Sequence, residues 1–260
     1  MLIVAYEFWN EIKDLIPEKK SKVGRPEFDK KRSFDGIFFV LRTGCQWKNL
    51  PDYYGKPTTI HGKFMRWSRA KVFDQIQRKA IKFYQDKVGR HGIWYAIDSI
   101  SVKTPLGGQK TGNNPTDRRK KGSKRTMIVD QRGAPLAITA GAANTHDSQF
   151  LKETFNLLKS TVSLNETTII AADSAYDSKE LRAFLRSQNC ILLAAENKRR
   201  KKVMHKLYKP RHRWIVERTH SWISNNRGLK IRWAKHEESF LGFCAFASSI
   251  QLFKMSGIFV

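Results

Sequence analysis

The sequence predicts an α/β protein, a mixed sheet flanked by helices and preceded by a small all-α region. Three observations predict it. Up to about position 88 the apolar residues recur at helical spacing. From Trp94 onward, short β-branched and aromatic runs alternate with helical ones. Two of those runs, TTIIAA and CILLAA, are continuously apolar, as strands covered on both faces must be. With 260 residues, 40% of them hydrophobic, the chain can build one large core or two modest ones.

The first element, YEFWNEIKDLI, carries Phe8, Ile12, Leu15 and Ile16 on one side and stops at Pro17. FDKKRSFDGIFFVLR places Phe34, Ile37, Phe38 and Leu41 together, and Thr43-Gly44 ends it. After the turn-rich CQWKNLPDYYGKP come two more helices, TTIHGKFMRWSRA and VFDQIQRKAIKFYQ. Such short basic helices read either as a helix-turn-helix DNA reader or as a bundle that only supports the rest.

GIWYAIDSISVK is a strand expected to end near Asp98, and the long polar stretch TPLGGQKTGNNPTDRRKKGSKR is a loop. TMIVD and PLAITAGA form a hairpin around QRGA. THDSQFLKETFNLLK is a helix capped by Asp147 or Ser148. TTIIAAD, SKELRAFLRSQN and CILLAA follow as strand, helix, strand, and RHRWIVERTHSWISNNRG as a helix with Gly228 as its stop. Three meandering strands followed by alternating helices and strands are what a ribonuclease H-like fold requires. The predicted domains are a helical 1–88 and an α/β 89–260.

Charge points to the partner. Forty-nine Lys and Arg against 23 Asp and Glu leave a net +26. Nucleic acid is the usual screen for such a surface, with an anionic membrane or ribosomal RNA as competitors. Cys45, Cys190 and Cys244 are too scattered for a disulfide framework or a zinc site, which suits a reducing, cytoplasmic setting. MLIVAYEFWNEIK, with no basic start and only a very short apolar run, is not expected to be a signal peptide. FLGFCAFASSIQLFKMSGIFV, broken by Gln251 and Lys254, reads as a buried helix rather than a membrane span.

In so basic a chain, acids at strand ends stand out. Asp98 closes WYAID and Asp173 follows TTIIAA; neighbouring strand ends of this kind place two carboxylates side by side. Glu217 is the sole acid in RHRWIVERTHSWISNNRGLK, one turn after Arg213, with His220 and Ser221 a turn further. Three carboxylates suit hard divalent cations and phosphodiester chemistry. Each also has a local reading: Asp98 bonded to a turn, Asp173 capping the next helix, Glu217 paired with Arg213 or Arg218. Asp130 reads as a hairpin residue, and Trp67 and Trp222 as core rather than base-stacking residues.

These stretches resemble the DDE transposases of bacterial insertion sequences, in the insertion sequence five family of the insertion sequence four superfamily. The resemblance rests on GRP, LRTGCQWKNLP, AIDSISVK, TGNNPTDRRKKGSKR, GAANTHDS, AADSAYDS and RWIVERTHSWISNNRGLKIRW, in that order along nearly the whole chain. It implies a ribonuclease H-like core whose catalytic, metal-holding residues are Asp98, Asp173 and Glu217. Arg213 is placed to position Glu217 or a scissile phosphate. The superfamily's Tyr and Lys positions fall on Pro210 and Ser224 here, with Tyr208 and Arg227 nearby, so those two roles do not carry over.

The resemblance further implies two Mg2+ ions, replaceable by Mn2+, binding of the element's terminal inverted repeats, strand cutting, and joining of 3′-hydroxyls to target DNA. A homodimer or larger synaptic complex on the nucleoid is expected, with no membrane partner. Phosphate contacts are expected from Arg118, Arg119, Lys120, Lys121, Lys124 and Arg125, from Lys198, Arg199, Arg200, Lys201 and Lys202, and from Arg227. The rival readings are a non-catalytic DNA-binding derivative, an endonuclease on the same fold, and an RNA-binding module.

Overall fold

The computed structural model describes residues 2–18, 26–89, 94–164, 168–194 and 213–258. Its helices are α1 (Tyr6–Ile12), α2 (Lys30–Thr43), α3 (Pro57–Arg69), α4 (Val72–Val88), α5 (Leu151–Lys159), α6 (Lys179–Arg186), α7 (Arg213–Ser224), α8 (Arg227–Lys230) and α9 (Glu237–Met255). Its strands are β1 (Trp94–Lys103), β2 (Gly112–Asn113), β3 (Lys121–Asp130), β4 (Pro135–Ala142), β5 (Thr168–Ala172) and β6 (Cys190–Ala194). They form two compact units, one of Met1–Val88 with Ile223–Val260 and one of Gly89–Trp222.

The first unit is helical. Its core is aromatic: Phe34 lies 4.7 Å from Phe246, and Phe64 stacks at 4.3 Å on Phe243. Trp67 is in this core, as its place on the apolar side of α3 requires. The division expected at position 88 assigned everything beyond it to the α/β region. The structure instead places 223–260 with the N-terminal helices, because α9 packs on α3 and α4. With Phe240, Phe243, Phe246, Ile250 and Phe253 all buried, α9 is apolar nearly all round, as a central helix must be. No helix among the described residues is long and apolar enough to cross a membrane.

Gly228, expected to stop α7, lies inside α8. A Cβ there would come within 3.1 Å of the Val40 and Leu41 carbonyl oxygens, so glycine serves the close approach of α8 to α2. The stop comes earlier, at Ser224, and Asn226 bonds Arg42 at 3.0 Å.

The second unit is the sheet, ordered β2-β3-β1-β5-β6, with β4 also pairing β3. β1, β3 and β4 run antiparallel; β1, β5 and β6 run parallel. Antiparallel β4-β3-β1 continued by parallel β1-β5-β6 is the ribonuclease H-like arrangement. Helix α5 packs on β4 and β3, and α6 on β6. The β3–β4 turn is closed by Asp130, whose carboxylate accepts the Arg132 and Ala134 N–H groups at 2.9 Å each, the hairpin role its position predicts.

Three local readings differ from the sequence pattern. β1 runs on to Lys103, because β3 pairs it along that whole length. β3 begins at Lys121 inside the expected loop, and β2 pairs with it there. The turn before α5 is capped by the His146 ring, whose Nδ1 accepts from Ser148 N, rather than by Asp147 or Ser148.

Candidate active site

The parallel β1–β5 ladder runs from Trp94 and Ile169 to Ala96 and Ala171. Asp98 and Asp173 each stand two residues beyond that last pair, on adjacent strands, and both are half-buried. The structure therefore brings these two acids to one place. The Asp98 carboxylate accepts the Ser99 N–H at 2.8 Å. Asp173 caps the short turn Ser174–Tyr176, its carboxylate accepting from Ala175 N, so the capping role and the strand-end position coincide.

Tyr176 fills the space behind them. It is fully buried and its hydroxyl lies 2.9 Å from Ser99 Oγ, which lies 2.7 Å from Thr126 Oγ1. Burial pushes its phenol far up; the bond to Ser99 opposes this, and the Asp147, Asp98 and Asp173 carboxylates add to it.

Helix α7 carries Glu217, which is exposed. Three consecutive residues and one strand residue fasten this helix to the sheet. Arg218 Nη2 donates to the Arg132 carbonyl at 2.8 Å, and Thr219 Oγ1 to the Gly133 carbonyl at 2.8 Å. His220 Nε2 lies 3.2 Å from the Asp98 carbonyl, and Arg125 Nη2 donates to the His220 carbonyl at 3.1 Å. His220 is pushed down to about 3, first by burial and then by Arg125, against the bond to Asp98. The ring is thus neutral at ordinary pH, and a ring facing a carbonyl oxygen carries its proton on Nε2. Glu217, three residues before His220, stands one helical turn from this contact.

Oxygen donors of this kind suit the divalent ions that DDE transposases use. Asp98 and Asp173 fit such an ion by position. Among the described residues no group of three or more His, Cys, Asp or Glu side chains is close enough to hold a metal ion, so Glu217 is not drawn in with them. Asp98 and Asp173 each turn an oxygen to a backbone N–H, which helps fix the orientation of each carboxylate.

The cationic run 118–125 divides. Arg118, Arg119, Lys120 and Lys121 are exposed at the tip of the β2–β3 connection. Asn114 closes that tip, its carbonyl accepting from Arg119 N at 3.0 Å, while Arg118 and Arg119 both take positive φ, 49° and 58°. Lys124 turns back to Asp147 at 2.8 Å and to the Thr145 carbonyl at 2.7 Å. Arg125, expected on a DNA-facing loop, is fully buried. The strand starts at Lys121 and is buried on both faces from Arg125 to Asp130, so residue 125 lies inside the sheet rather than on a loop. Arg227 is exposed in the helical unit. Lys198, Arg199, Arg200, Lys201 and Lys202, with Tyr208 and Pro210, lie outside the described residues, as does the side chain of Arg213. Trp222 is half-buried, with the Arg218 guanidinium 4.4 Å from its ring and 4.6 Å from that of Trp214.

Sequence reasoning missed Ser99 and Tyr176. The signal was present in AYDS, where a large aromatic follows Asp173 at the spacing of one tight turn.

Residues 5–77 match a family model described as "Putative transposase of IS4/5 family", and residues 93–250 match "Transposase DDE domain". The chain is 34% identical over 166 residues to the "Putative transposase for insertion sequence element IS402" of Burkholderia cepacia, covering 62% of this chain and 75% of the relative. A second Burkholderia cepacia protein, "Insertion element IS402 uncharacterized 16.2 kDa protein", is 29% identical over 44% of this chain and 81% of its own. Among solved structures, a piggyBac transposase synaptic complex with hairpin DNA gives a TM-score of 0.48 at 12% identity, over 98% of this chain and 74% of that one. A Mos1 mariner paired end complex with Mn gives 0.33 at 10% identity, over 97% and 87%. The DDE model spans more than half of the residues here, and the chain belongs to the DDE transposases of the IS4/5 family.

Proposed function

We propose that this chain cuts DNA at the terminal inverted repeats of an insertion sequence and joins the freed ends to target DNA, with Asp98, Asp173 and Glu217 as its reacting-site carboxylates. DNA cleavage and strand transfer are the activity of its family. The observation that carries the residue assignment is the pair Asp98 and Asp173, each two residues past the last rung of adjacent parallel strands. Glu217 completes the set from a helix whose His220 touches the Asp98 carbonyl.

The chemistry is two in-line displacements at phosphorus. In the first, a water oxygen forms a bond to phosphorus while the bond to the 3′-oxygen breaks, leaving a 3′-hydroxyl and a 5′-phosphate. In the second, that 3′-hydroxyl attacks a target phosphodiester and another 3′-oxygen leaves. Divalent ions, Mg2+ with Mn2+ as substitute, would supply nucleophile activation and charge neutralisation when bound. Asp98 and Asp173 would hold them, with Glu217 as the third carboxylate. Arg118, Arg119, Lys120 and Lys121 hold the DNA backbone, and Arg213 with Lys198–Lys202 would add to that grip.

In the helical unit, α3 and α4 are joined by only two residues and expose Arg66, Arg69, Lys71 and Arg78. This tight pair is the part suited to reading the inverted repeats. Cutting both ends together calls for at least two copies of the chain, acting on DNA in the bacterial cytoplasm.

The test is cleavage and strand transfer on DNA carrying the element's ends, with and without Mg2+, for wild type and Asp173→Asn. Metal-dependent products from wild type alone are expected, with end binding equal in both. Equal products from both proteins would remove Asp173 from the reaction. Tight end binding by wild type without any product would leave a DNA-binding derivative.

A further inference from the structure

We propose that the hydroxyls of Tyr176 and Ser99 form a bridge that sets the spacing between Asp98 and Asp173, making both positioning residues for metal binding. The inference rests on the assignment of those two acids above.

The β1–β5 ladder has its last pair at Ala96 and Ala171, two residues short of the acids. Beyond it, Ser99 holds one acid and Tyr176 the other. The Ser99 N–H donates to the Asp98 carboxylate at 2.8 Å. The Tyr176 N–H donates to the Asp173 carbonyl at 3.1 Å. The two side chains then meet at 2.9 Å, hydroxyl to hydroxyl. Thr126 backs the bridge from β3, where it is the residue directly opposite Ser99, at 2.7 Å and fully buried. Each half of the bridge is thus one peptide link or one tight turn from a carboxylate.

A phenylalanine would fill the same buried space with no hydroxyl to desolvate. A buried hydroxyl bond adds little net stability, so packing alone gives weak reason for tyrosine there. Spacing gives a stronger one. Paired ions in phosphoryl transfer sit about 3.5–4 Å apart, and a shift of roughly 1 Å can cost about a hundredfold in rate.

Tyr176→Phe and Ser99→Ala each remove one end of the bridge, and Ser99→Thr keeps the hydroxyl. Two quantities are read on the full-length protein: Mn2+ affinity without DNA, by calorimetry, and the Mg2+ concentration for half-maximal cleavage. Both removals should weaken metal binding about 10–100-fold, the usual effect of losing a group that orients a ligand. The double variant should be no worse than either single, and Ser99→Thr should bind as wild type. Thermal midpoints should barely move. Unchanged metal affinity in both removal variants, beside a wild type that binds Mn2+ and cuts DNA, would overturn the bridge and leave the function intact. A lowered midpoint with unchanged affinity in the folded variants would make the bridge structural only. A wild type that neither binds Mn2+ nor cuts would sink the assignment of the acids, and the bridge with it.

Discussion

A basic side chain with no surface exposure does unusual work in this protein. Arg125 sits inside the α/β unit, donating to the His220 carbonyl, and its charge helps keep the neighbouring imidazole neutral. That neutrality has a consequence in acid. The folded value of His220, about 3, lies below the ordinary 6.5, so the unfolded chain takes up the proton first as pH falls. Its contribution to stability is therefore fully present above pH 6.5 and is lost as pH falls toward about 3, at no more than about 1.4 kcal/mol per pH unit. Urea midpoints at pH 7.5, 6 and 5 should fall less steeply for His220→Gln, which keeps a donor but cannot titrate. This window stays above most carboxylate titration. An identical fall in both proteins would mean that the imidazole is not held neutral.

At the scale of elements, α7 is placed by bonds at Arg218, Thr219 and His220 rather than by packing alone. The β3–β4 turn must come close to receive it. Gly133 has φ +87°, and a Cβ there would lie 2.7 Å from Thr219 Oγ1. Gly133→Ala should cost roughly 1–3 kcal/mol in urea unfolding and should depress cleavage more than DNA binding. Wild-type cleavage in this variant would show that the seat of α7 does not govern Glu217. Much of the architecture was legible from the sequence, because buried strands such as TTIIAA and the stripes of α2 to α4 announce themselves by period. The ends were not. Six cations between 118 and 125 read as a loop that contacts phosphate, yet β3 begins among them at Lys121, and a charge run carries no apolar pattern to announce a strand. Gly228 read as a helix stop because the partner it makes room for, the end of α2, is remote in sequence. The same remoteness hid Tyr176 and Ser99, which only the sheet brings together. Asp98 and Asp173 were legible because each ends an apolar run, whereas the place of Glu217 depends on bonds to three separate loops and strands.

For the molecule as a whole, a net charge of +26 makes binding to DNA steeply salt-dependent. The exposed cations should set the slope and the inward ones should not. Replacing Arg118, Arg119, Lys120 and Lys121 together by alanine should make the log–log salt slope shallower by about 3–4, if each meets one phosphate. Lys124→Met, which removes a cation already turned to Asp147, should leave the slope unchanged. An unaltered slope in the quadruple variant would remove the β2–β3 tip from the DNA path. The division of the chain has its own bearing, on biogenesis. The helical unit is discontinuous, with the α/β unit inserted between its two parts, and α9 is made after the α/β unit. During synthesis the α/β strands are complete while α3 and α4 still lack the surface that covers Phe64 and Phe73. A stop codon after Trp222 would therefore yield an α/β unit joined to an uncovered aromatic cluster, a product for chaperones and proteases rather than a free-standing reader of DNA ends.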